Sequence, residues 1–342
     1  MSPRLARSAI ALVSFALLAG CTSAPGTSVP ASSAPTTSAA ASTDTTTSSS
    51  PTTSVTAPTS AARPTASASP TTTRPPVAQP FDVGAVQQRV RAIAAIGSRD
   101  AVSPAYARAA TYVTGQLESV GWRVRAQRFE VPAGTSWGVR VPGGTSTNLI
   151  ADPPGFDSTE PHVVIGAHLD TVPQAPGAED NASGVATVVE LARMLREQPA
   201  ATPVRLVLFG AEEARVPAGT RYAFGSRHYV TTLTDAERRA TRGMLALDRV
   251  GVAGRTVPVC SGGRGTASLA RDVRAASPAS VTNRCTNRAS DHVSFEAAGI
   301  PAARLGSVPF DGYHSAGDVP SVVSDSQMRR TGAVAWAWLR SL

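Results

Sequence analysis

The chain has 342 residues, of which 42% are hydrophobic and 16% charged, and its formal net charge is +8. All 32 basic residues are arginines, and they are scattered without a basic block interleaved with aromatic residues. The length allows one or two domains, and the charge pattern argues against a nucleic-acid-binding protein.

The first twenty residues have the pattern of a secretory signal peptide. Arg4 and Arg7 precede an apolar run from Ala9 to Ala19, which is too short to span a bilayer comfortably. The run leads into Leu18-Ala19-Gly20-Cys21, which resembles the bacterial lipobox, where the cysteine becomes the lipidated first residue. An ordinary signal followed by a chance cysteine is the alternative. We therefore predict a signal over residues 1–20 and an exported protein that a lipid on Cys21 anchors to the outer face of the cell membrane.

Residues 21–80 are almost entirely Ser, Thr, Ala and Pro. A segment of this composition cannot bury enough apolar surface to offset the entropy lost on ordering. We predict an extended, disordered tether that holds the rest of the chain, residues 81–342, away from the membrane.

Two cysteines lie outside the N-terminal region, Cys260 and Cys285. They form an even pair in a chain that we expect to be exported, where a disulfide persists. We predict a Cys260–Cys285 disulfide, with two free buried thiols as the alternative.

Residues 81–342 alternate between helical and strand patterns, and no repeat is visible. Helical spacing and capping residues predict helices that end at Gly97 and Gly121, another over Val185–Arg196 and a last one over Ser324–Leu339. Alternation predicts a half-buried strand over Trp122–Val131. Short apolar runs predict covered strands at Asn148–Ala151, His162–Ala167, Val204–Phe209 and Met244–Leu247. This order predicts an α/β fold, a three-layer α/β/α sandwich with a mixed, mostly parallel central sheet.

Histidine and carboxylate residues follow several of these strands. His168 and Asp170 come after one apolar run, and Glu212 and Glu213 follow Phe209. Residues at the carboxyl ends of such strands meet at one edge of the sheet. Neutral imidazole binds zinc, and a nearby carboxylate commonly fixes its tautomer. Alone, His-X-Asp is a weak signal and a Glu-Glu pair is usually a solvated turn.

Three further residues complete a possible metal site. Asp180 precedes an Asn-Ala-Ser-Gly turn that opens a helix, Asp248 ends an apolar run, and His314 lies in a glycine-containing loop. The alternative role for Asp180 is a helix N-cap, a position that Asp favours. Together, two imidazoles, three metal-binding carboxylates and a spare Glu are what a hydrolytic site with two zinc ions requires.

The ordered motifs resemble those of the M28 family of zinc aminopeptidases. They are Ala167-His168-Leu169-Asp170, Glu179–Gly184, Phe209–Glu213, Ala246-Leu247-Asp248, Ser290–Phe295 with Gly299-Ile300-Pro301, and Tyr313–Asp318. They run in the family's order from about Asn148 to Pro320. The family fold, a mixed sheet between helices, agrees with the pattern above.

The resemblance implies a role for each matching residue. His168 and Asp248 would bind one Zn²⁺, Glu213 and His314 a second, and Asp180 would bridge both. Glu212 would be the general base, Asp170 would support His168, and Tyr313 would donate a hydrogen bond to the oxyanion. The resemblance also implies a cis peptide bond between Asp180 and Asn181. Peptides with a free N-terminus would be the substrates, and we predict a monomer.

Two arginines depart from the family pattern, and two aromatic residues outside the motifs are further candidates for the site. Arg249 follows Asp248 where the family often has an apolar residue. Arg288 is separated from Ser290-Asp291 by Ala289, which puts a substrate role for this arginine in doubt. Tyr222 and Phe224 are candidates for a specificity pocket, with the protein core as their alternative.

Three alternatives fit parts of the sequence. The string from His168 to Pro173 also resembles the M20 peptidases, but the motifs are too closely spaced for the dimerisation domain which that family inserts. A glutaminyl cyclase on the same fold would use one zinc ion. A catalytically inactive, peptide-binding envelope lipoprotein is the third alternative.

Overall fold

A computed structural model describes residues 80–216, 222–263, 267–283, 285, 288–306 and 309–342. The predicted signal peptide, Cys21 and the tether, apart from Pro80, lie outside these ranges. Within them, no helix is both long and apolar enough to cross a membrane.

The described residues contain ten strands, which form one large sheet and one small hairpin. They are β1 Arg123–Val131, β2 Gly134–Ser136, β3 Val139–Val141, β4 Gly144–Asp152, β5 His162–His168, β6 Val204–Phe209, β7 Thr241–Asp248, β8 Val257–Cys260, β9 Val281–Thr282 and β10 Ala302–Gly306. Eight strands pair in the order β1-β4-β6-β5-β7-β10-β8-β9, whereas β2 pairs with β3 and forms one bridge between Thr135 and Val216. The four central strands β6, β5, β7 and β10 are parallel, whereas β1, β4 and β6 pair antiparallel. The sheet is therefore mixed, as the sequence predicts.

Helices cover both faces of the sheet. They are α1 Val83–Ala95, α2 Pro104–Ser119, α3 Ser183–Glu197, α4 Phe224–Thr232, α5 Asp235–Ala240, α6 Ser268–Ala276, α7 His292–Ala297 and α8 Asp325–Ser341. A short π-helical turn, Ala178–Ala182, leads into α3, and a 3-10 turn, Pro320–Val322, precedes α8.

The central strands divide their side chains between two cores because successive residues point to opposite faces. Val163 and Ile165 of β5 pack in the larger core, which α1, α2, α3, α6 and α8 cover. Val164, between them, packs in a second core together with Tyr229 of α4 and Phe295 of α7. This alternation produces the three layers, and the predicted α/β/α sandwich is confirmed.

Capping residues fix the start of the helices that border the sheet. The Ser103 side chain accepts a hydrogen bond from the Tyr106 N–H, and Pro104 occupies the first turn of α2, as predicted. The Ser324 side chain accepts a hydrogen bond from the Gln327 N–H at the start of α8. Such caps typically stabilise a helix by about 1 kcal/mol.

Candidate active site

The central parallel strands deliver the predicted side chains to one edge of the sheet. His168 is the last residue of β5 and Asp248 the last residue of β7, while Glu212 and Glu213 follow β6. The chain turns sharply beside these positions, since Ala211, Arg249 and His314 all have positive φ angles, between 53° and 55°. Left-handed backbone at non-glycine residues is uncommon and often marks a functional site.

Asp180 lies between the two histidines. Its Oδ1 atom is 3.1 Å from His168 Nε2, and its Oδ2 atom is 3.1 Å from His314 Nε2. Each carboxylate oxygen of Asp180 therefore faces a different imidazole.

The potential metal ligands fall into two groups that share Asp180. One group is His168, Asp180 and Asp248, and the other is Asp180, Glu213 and His314. In each group the possible ligand atoms lie within 4.8 Å of one another. Asp248 Oδ1 is buried and accepts no hydrogen bond from any described residue. Two imidazole nitrogens and three carboxylates form a donor set that zinc commonly uses, so the residues present fit zinc.

The position of Asp180 is fixed by its neighbours along the chain and across the fold. The peptide bond between Asp180 and Asn181 is cis, as the family resemblance implies. The Asp318 carboxylate accepts hydrogen bonds from the N–H groups of Glu179, at 2.7 Å, and Asp180, at 3.0 Å. The Asn181 side chain is fully buried and donates to the Leu247 carbonyl at 2.8 Å. Two loops far apart in the sequence therefore hold the shared carboxylate.

Asp170 contacts both His168 and the turn after β6. His168 Nδ1 lies 3.1 Å from the backbone carbonyl oxygen of Asp170 and 3.7 Å from its carboxylate. That carboxylate accepts hydrogen bonds from the N–H groups of Glu212 and Glu213. Its backbone therefore comes closer to the imidazole than its side chain does, and the side chain instead positions the Glu212-Glu213 turn.

Charged groups of both signs shift the pKa values of the buried side chains in the site. Burial alone would lower the pKa of His314, but hydrogen bonds to Asp180 and Glu213 raise it to about 9. Burial would raise the pKa of Asp248, but the charge of Arg249 and the contact with His168 lower it to about 2. The positive groups beside Asp248 therefore favour the charged form of its carboxylate.

Glu212 is half-buried at the pocket wall, beside Glu213. Burial raises the pKa of Glu212 well above its ordinary value, and the negative charge of Glu213 adds to this shift. A carboxylate with a raised pKa is suited to accept and return a proton.

The open side of the site is a small aromatic pocket of about 130 Å³. Tyr313 stacks on His314 with ring centroids 3.7 Å apart. Trp137, at the turn of the β2–β3 hairpin, meets the His314 ring edge-on at 4.2 Å and is 54% exposed. Burial raises the pKa of Tyr313, so its hydroxyl keeps the proton that a hydrogen-bond donor needs.

The structure also places the remaining residues that the sequence singled out. Tyr222 lines the pocket, whereas Phe224 packs against a small cluster that contains Phe129. The Arg288 guanidinium donates to the Ser261 carbonyl, and this residue is not part of the pocket wall. Cys260 and Cys285 form a disulfide with Cα atoms 6.0 Å apart.

Sequence reasoning missed two functional candidates in the pocket region. Trp137 gave no signal, because an aromatic residue next to a glycine in a short turn is common. Asp318 ends the Tyr313–Asp318 motif, which by itself gives this residue no role, yet Asp318 positions Asp180. Its place in a motif that already contained His314 was the signal that could have identified it.

The fold and this site define a metallopeptidase of the α/β/α class. The model of peptidase family M28 matches residues 148–339, more than half of the chain. The chain belongs to peptidase family M28.

Curated relatives match this chain over part of their length. The chain is 37% identical to Aminopeptidase YwaD of Bacillus subtilis over 108 residues, which cover 31% of this chain and 22% of the relative. It is 36% identical to the Probable lipoprotein aminopeptidase LpqL of Mycobacterium tuberculosis over 122 residues, 35% of this chain and 22% of that one. The matches thus span only about a fifth of each of these relatives.

Two solved structures share the fold over most of the chain. The zinc aminopeptidase BSAP from Bacillus subtilis superimposes with a TM-score of 0.66 at 19% identity, covering 77% of this chain and 95% of that one. The glutaminyl cyclase of Fimbriiglobus ruber gives a TM-score of 0.67 at 26% identity, covering 78% and 97%.

Proposed function

We propose that this protein is a zinc aminopeptidase that removes N-terminal residues from peptides at the cell envelope. The observation that carries the proposal is the shared position of Asp180, which lies 3.1 Å from an imidazole on each side. This arrangement supports two zinc ions, one held by His168, Asp180 and Asp248 and the other by Asp180, Glu213 and His314.

The chemistry divides between the metals and the chain. Zinc, when bound, polarises the scissile carbonyl and makes the attacking water more acidic. Glu212 accepts the proton of that water and returns it to the leaving amine, a transfer worth on the order of 10²–10⁴ in rate. The Tyr313 hydroxyl donates a hydrogen bond to the oxyanion that develops on the carbonyl oxygen.

Other residues position these groups. Asp170 holds the backbone of the Glu212-Glu213 turn, and Asp318 holds the backbone of Asp180. The pocket is small, which suits the end of a peptide better than the middle of a long one. This shape supports an exopeptidase that acts on free N-termini.

The envelope location rests on the N-terminal sequence. The lipobox-like Leu18–Cys21 and the Ser/Thr/Pro-rich tether support a lipid anchor, and the name of the relative LpqL includes the word lipoprotein. We propose that Cys21 carries the lipid and that the peptidase domain works outside the cell membrane. Labelling with a clickable fatty acid tests this, with Cys21→Ser as the unlabelled control; label retained on the variant would contradict it.

The activity is tested with a panel of aminoacyl-nitroanilides on zinc-replete protein. We expect hydrolysis that a chelator abolishes and added zinc restores. N-acetylated versions of the same substrates serve as controls and should be resistant, because they lack the free amine. Equal cleavage of the acetylated substrates would rule out the exopeptidase assignment.

A glutaminyl cyclase is the second candidate, favoured by the structural likeness to the Fimbriiglobus ruber enzyme. That reaction closes the ring of an N-terminal glutamine and releases ammonia without cutting a peptide bond. Mass spectrometry of a glutamine-initiated peptide distinguishes the two reactions. Loss of ammonia from an otherwise intact peptide would favour the cyclase, and loss of the whole residue would favour the aminopeptidase.

A further inference from the structure

The β2–β3 hairpin carries Trp137 at its tip in an unusual backbone conformation. Ser136 pairs with Val139, so the loop consists of Trp137 and Gly138, and both have positive φ angles, 46° and 84°. Hairpin loops of this type usually have Asn, Asp or Gly at the first position, because a bulky side chain seldom adopts a positive φ. A tryptophan in this conformation therefore points to a functional constraint on its ring.

The tip of the hairpin contacts two loops that surround the pocket. The Trp137 ring meets the rings of His314 and Tyr313 edge-on, with centroids 4.2 and 6.0 Å away. The Trp137 carbonyl accepts a hydrogen bond from the side chain of Gln174, which lies between β5 and Asp180. The position of the hairpin therefore decides where the indole ring lies at the mouth of the pocket.

The base of the hairpin is attached to the segment that follows Glu213. Thr135 of β2 and Val216 exchange two backbone hydrogen bonds, at 2.7 and 2.9 Å. A Cβ atom on Gly134 would lie 2.6 Å from the Val216 carbonyl oxygen, so the two backbones are in close contact. Because a two-stranded hairpin is only marginally stable by itself, its position depends on such attachments.

Arg215 supplies a second attachment at the same place. Its side chain is buried, and Nη1 donates to the carbonyl oxygens of Pro142, at 2.6 Å, and Pro132, at 3.4 Å. One of these prolines precedes the hairpin and the other follows it. Nη2 donates to the Asp100 carboxylate at 2.6 Å, which fixes the guanidinium. A single side chain therefore holds both ends of the hairpin.

We propose that Arg215 is a positioning residue for substrate selection, which acts by holding the β2–β3 hairpin so that the Trp137 ring lies where it contacts the first side chain of the substrate. The inference rests on the proposed aminopeptidase function and deepens it. Arg215 is not part of the pocket wall, so it acts through Trp137. Selection by the size of the first side chain thus depends on a residue outside the pocket.

A buried arginine with these contacts also stabilises the fold, and the two roles have different kinetic consequences. Loss of a purely structural contact affects all substrates alike. Loss of the position of Trp137 instead weakens binding of substrates with a large apolar side chain and spares those with a small one, because only the former bury much surface against the ring. A rise in KM without a change in kcat indicates such lost binding.

The experiment measures KM and kcat of zinc-replete, full-length protein in detergent with leucyl- and alanyl-nitroanilide. Arg215→Met removes the hydrogen-bond donors at nearly constant length, and it is made both in the wild type and in Trp137→Ala. Arg205→Met is the matched control, because Arg205 is also buried and forms an ion pair of 2.6 Å, with Asp152, away from the site.

Circular dichroism verifies that each variant is folded. Arg215→Lys replaces the Met variant if that one unfolds, since lysine keeps the charge but lacks the planar fork that spans Pro142 and Asp100.

We expect Arg215→Met to raise KM for the leucyl substrate on the order of fivefold, which corresponds to losing part of the burial of one apolar side chain. KM for the alanyl substrate and both kcat values should stay within about twofold of the wild type. In the Trp137→Ala background the same change should leave the leucyl KM nearly unchanged, because the ring through which Arg215 acts is absent. Arg205→Met should resemble the wild type.

An equal rise in the leucyl KM with and without Trp137 would overturn the positioning role. A fall in kcat on both substrates with unchanged KM would also overturn it. Wild-type protein that binds leucyl and alanyl substrates equally well would contradict this inference but not the aminopeptidase activity. Wild-type protein that hydrolyses no aminoacyl-nitroanilide would instead overturn the proposed function itself.

Discussion

Asp170 and Glu212 are linked by a hydrogen bond of 3.0 Å from the Glu212 N–H to the Asp170 carboxylate. The second oxygen of the same carboxylate accepts from the Glu213 N–H at 3.1 Å. Asp170, two residues beyond the end of β5, therefore positions the backbone of the two glutamates in the turn after β6. Since Glu212 and Glu213 have different proposed roles, the relative direction of their side chains depends on this contact.

Replacing Asp170 with Asn should reduce the peptidase rate without unfolding the protein. The amide has one acceptor oxygen, so one of the two N–H groups would face another donor and the turn would shift. We expect kcat to fall about 10- to 100-fold, the usual size of effects from residues that orient metal-site groups. Steady-state kinetics measures this.

Asp152→Asn is the control for the Asp170 variant, because Asp152 ends β4 and pairs with Arg205 away from the site. A rate for Asp170→Asn equal to that of the control would show that the Asp170–Glu212 contact does not matter for activity.

Replacing Glu212 with Gln should remove the proton acceptor and leave the metal ligands in place. We expect kcat to fall on the order of 10²–10⁴, the range for a positioned general base. Zinc content measured by mass spectrometry should equal that of the wild type. Glu130→Gln, an exposed glutamate that contacts Thr145, is the control. Activity within about threefold of the wild type would mean that another group moves the proton.

Trp137 should affect substrate binding more than chemistry. Its exposed ring packs edge-on against His314 at the mouth of the pocket, where a substrate side chain can contact it. We expect Trp137→Ala to raise KM several-fold for leucyl and phenylalanyl substrates, with a smaller change for alanyl substrates, because burying a large apolar side chain contributes about 1.5–3 kcal/mol. Val139→Ala, on the same hairpin and also exposed, is the control.

A uniform fall in kcat across all substrates of Trp137→Ala would contradict a recognition role. That result would indicate that Trp137 acts through His314 instead.

The disulfide between Cys260 and Cys285 should contribute to stability. It connects residues 25 apart in the sequence, and a closed loop of that size is expected to stabilise the folded state by about 3 kcal/mol. A reducing agent should therefore lower the Tm of the wild type but leave that of a Cys260→Ser, Cys285→Ser double variant unchanged. A wild-type Tm that does not respond to reduction would contradict this contribution.

The sequence predicted the elements whose side chains follow a regular period. The apolar runs at His162–Ala167 and Val204–Phe209 lie in β5 and β6, and the Ser103-Pro104 start of α2 lies where capping chemistry places it. Short elements such as α7 and β9 have too few residues for a period to be visible.

The spacing of residues along the sequence does not by itself predict which side chains meet in the site. The contact between His314 and Asp180 joins residues 134 apart, and it forms only because the loop that contains Asp318 docks on the turn after β5. The family motifs predicted the candidate metal ligands, but they gave no indication of Trp137. They showed Arg249 only as an unusual residue, whereas the structure shows its charge beside Asp180 and Asp248.

We propose above that one carboxylate, Asp180, bridges two zinc ions. Anomalous diffraction at the zinc absorption edge, from crystals of the protein grown in excess zinc, tests this bridging directly. We predict two peaks roughly 3.5–4 Å apart, one contacting His168 and Asp248 and the other contacting Glu213 and His314, with Asp180 touching both. A single peak at saturating zinc, or peaks that do not contact Asp180, would contradict it.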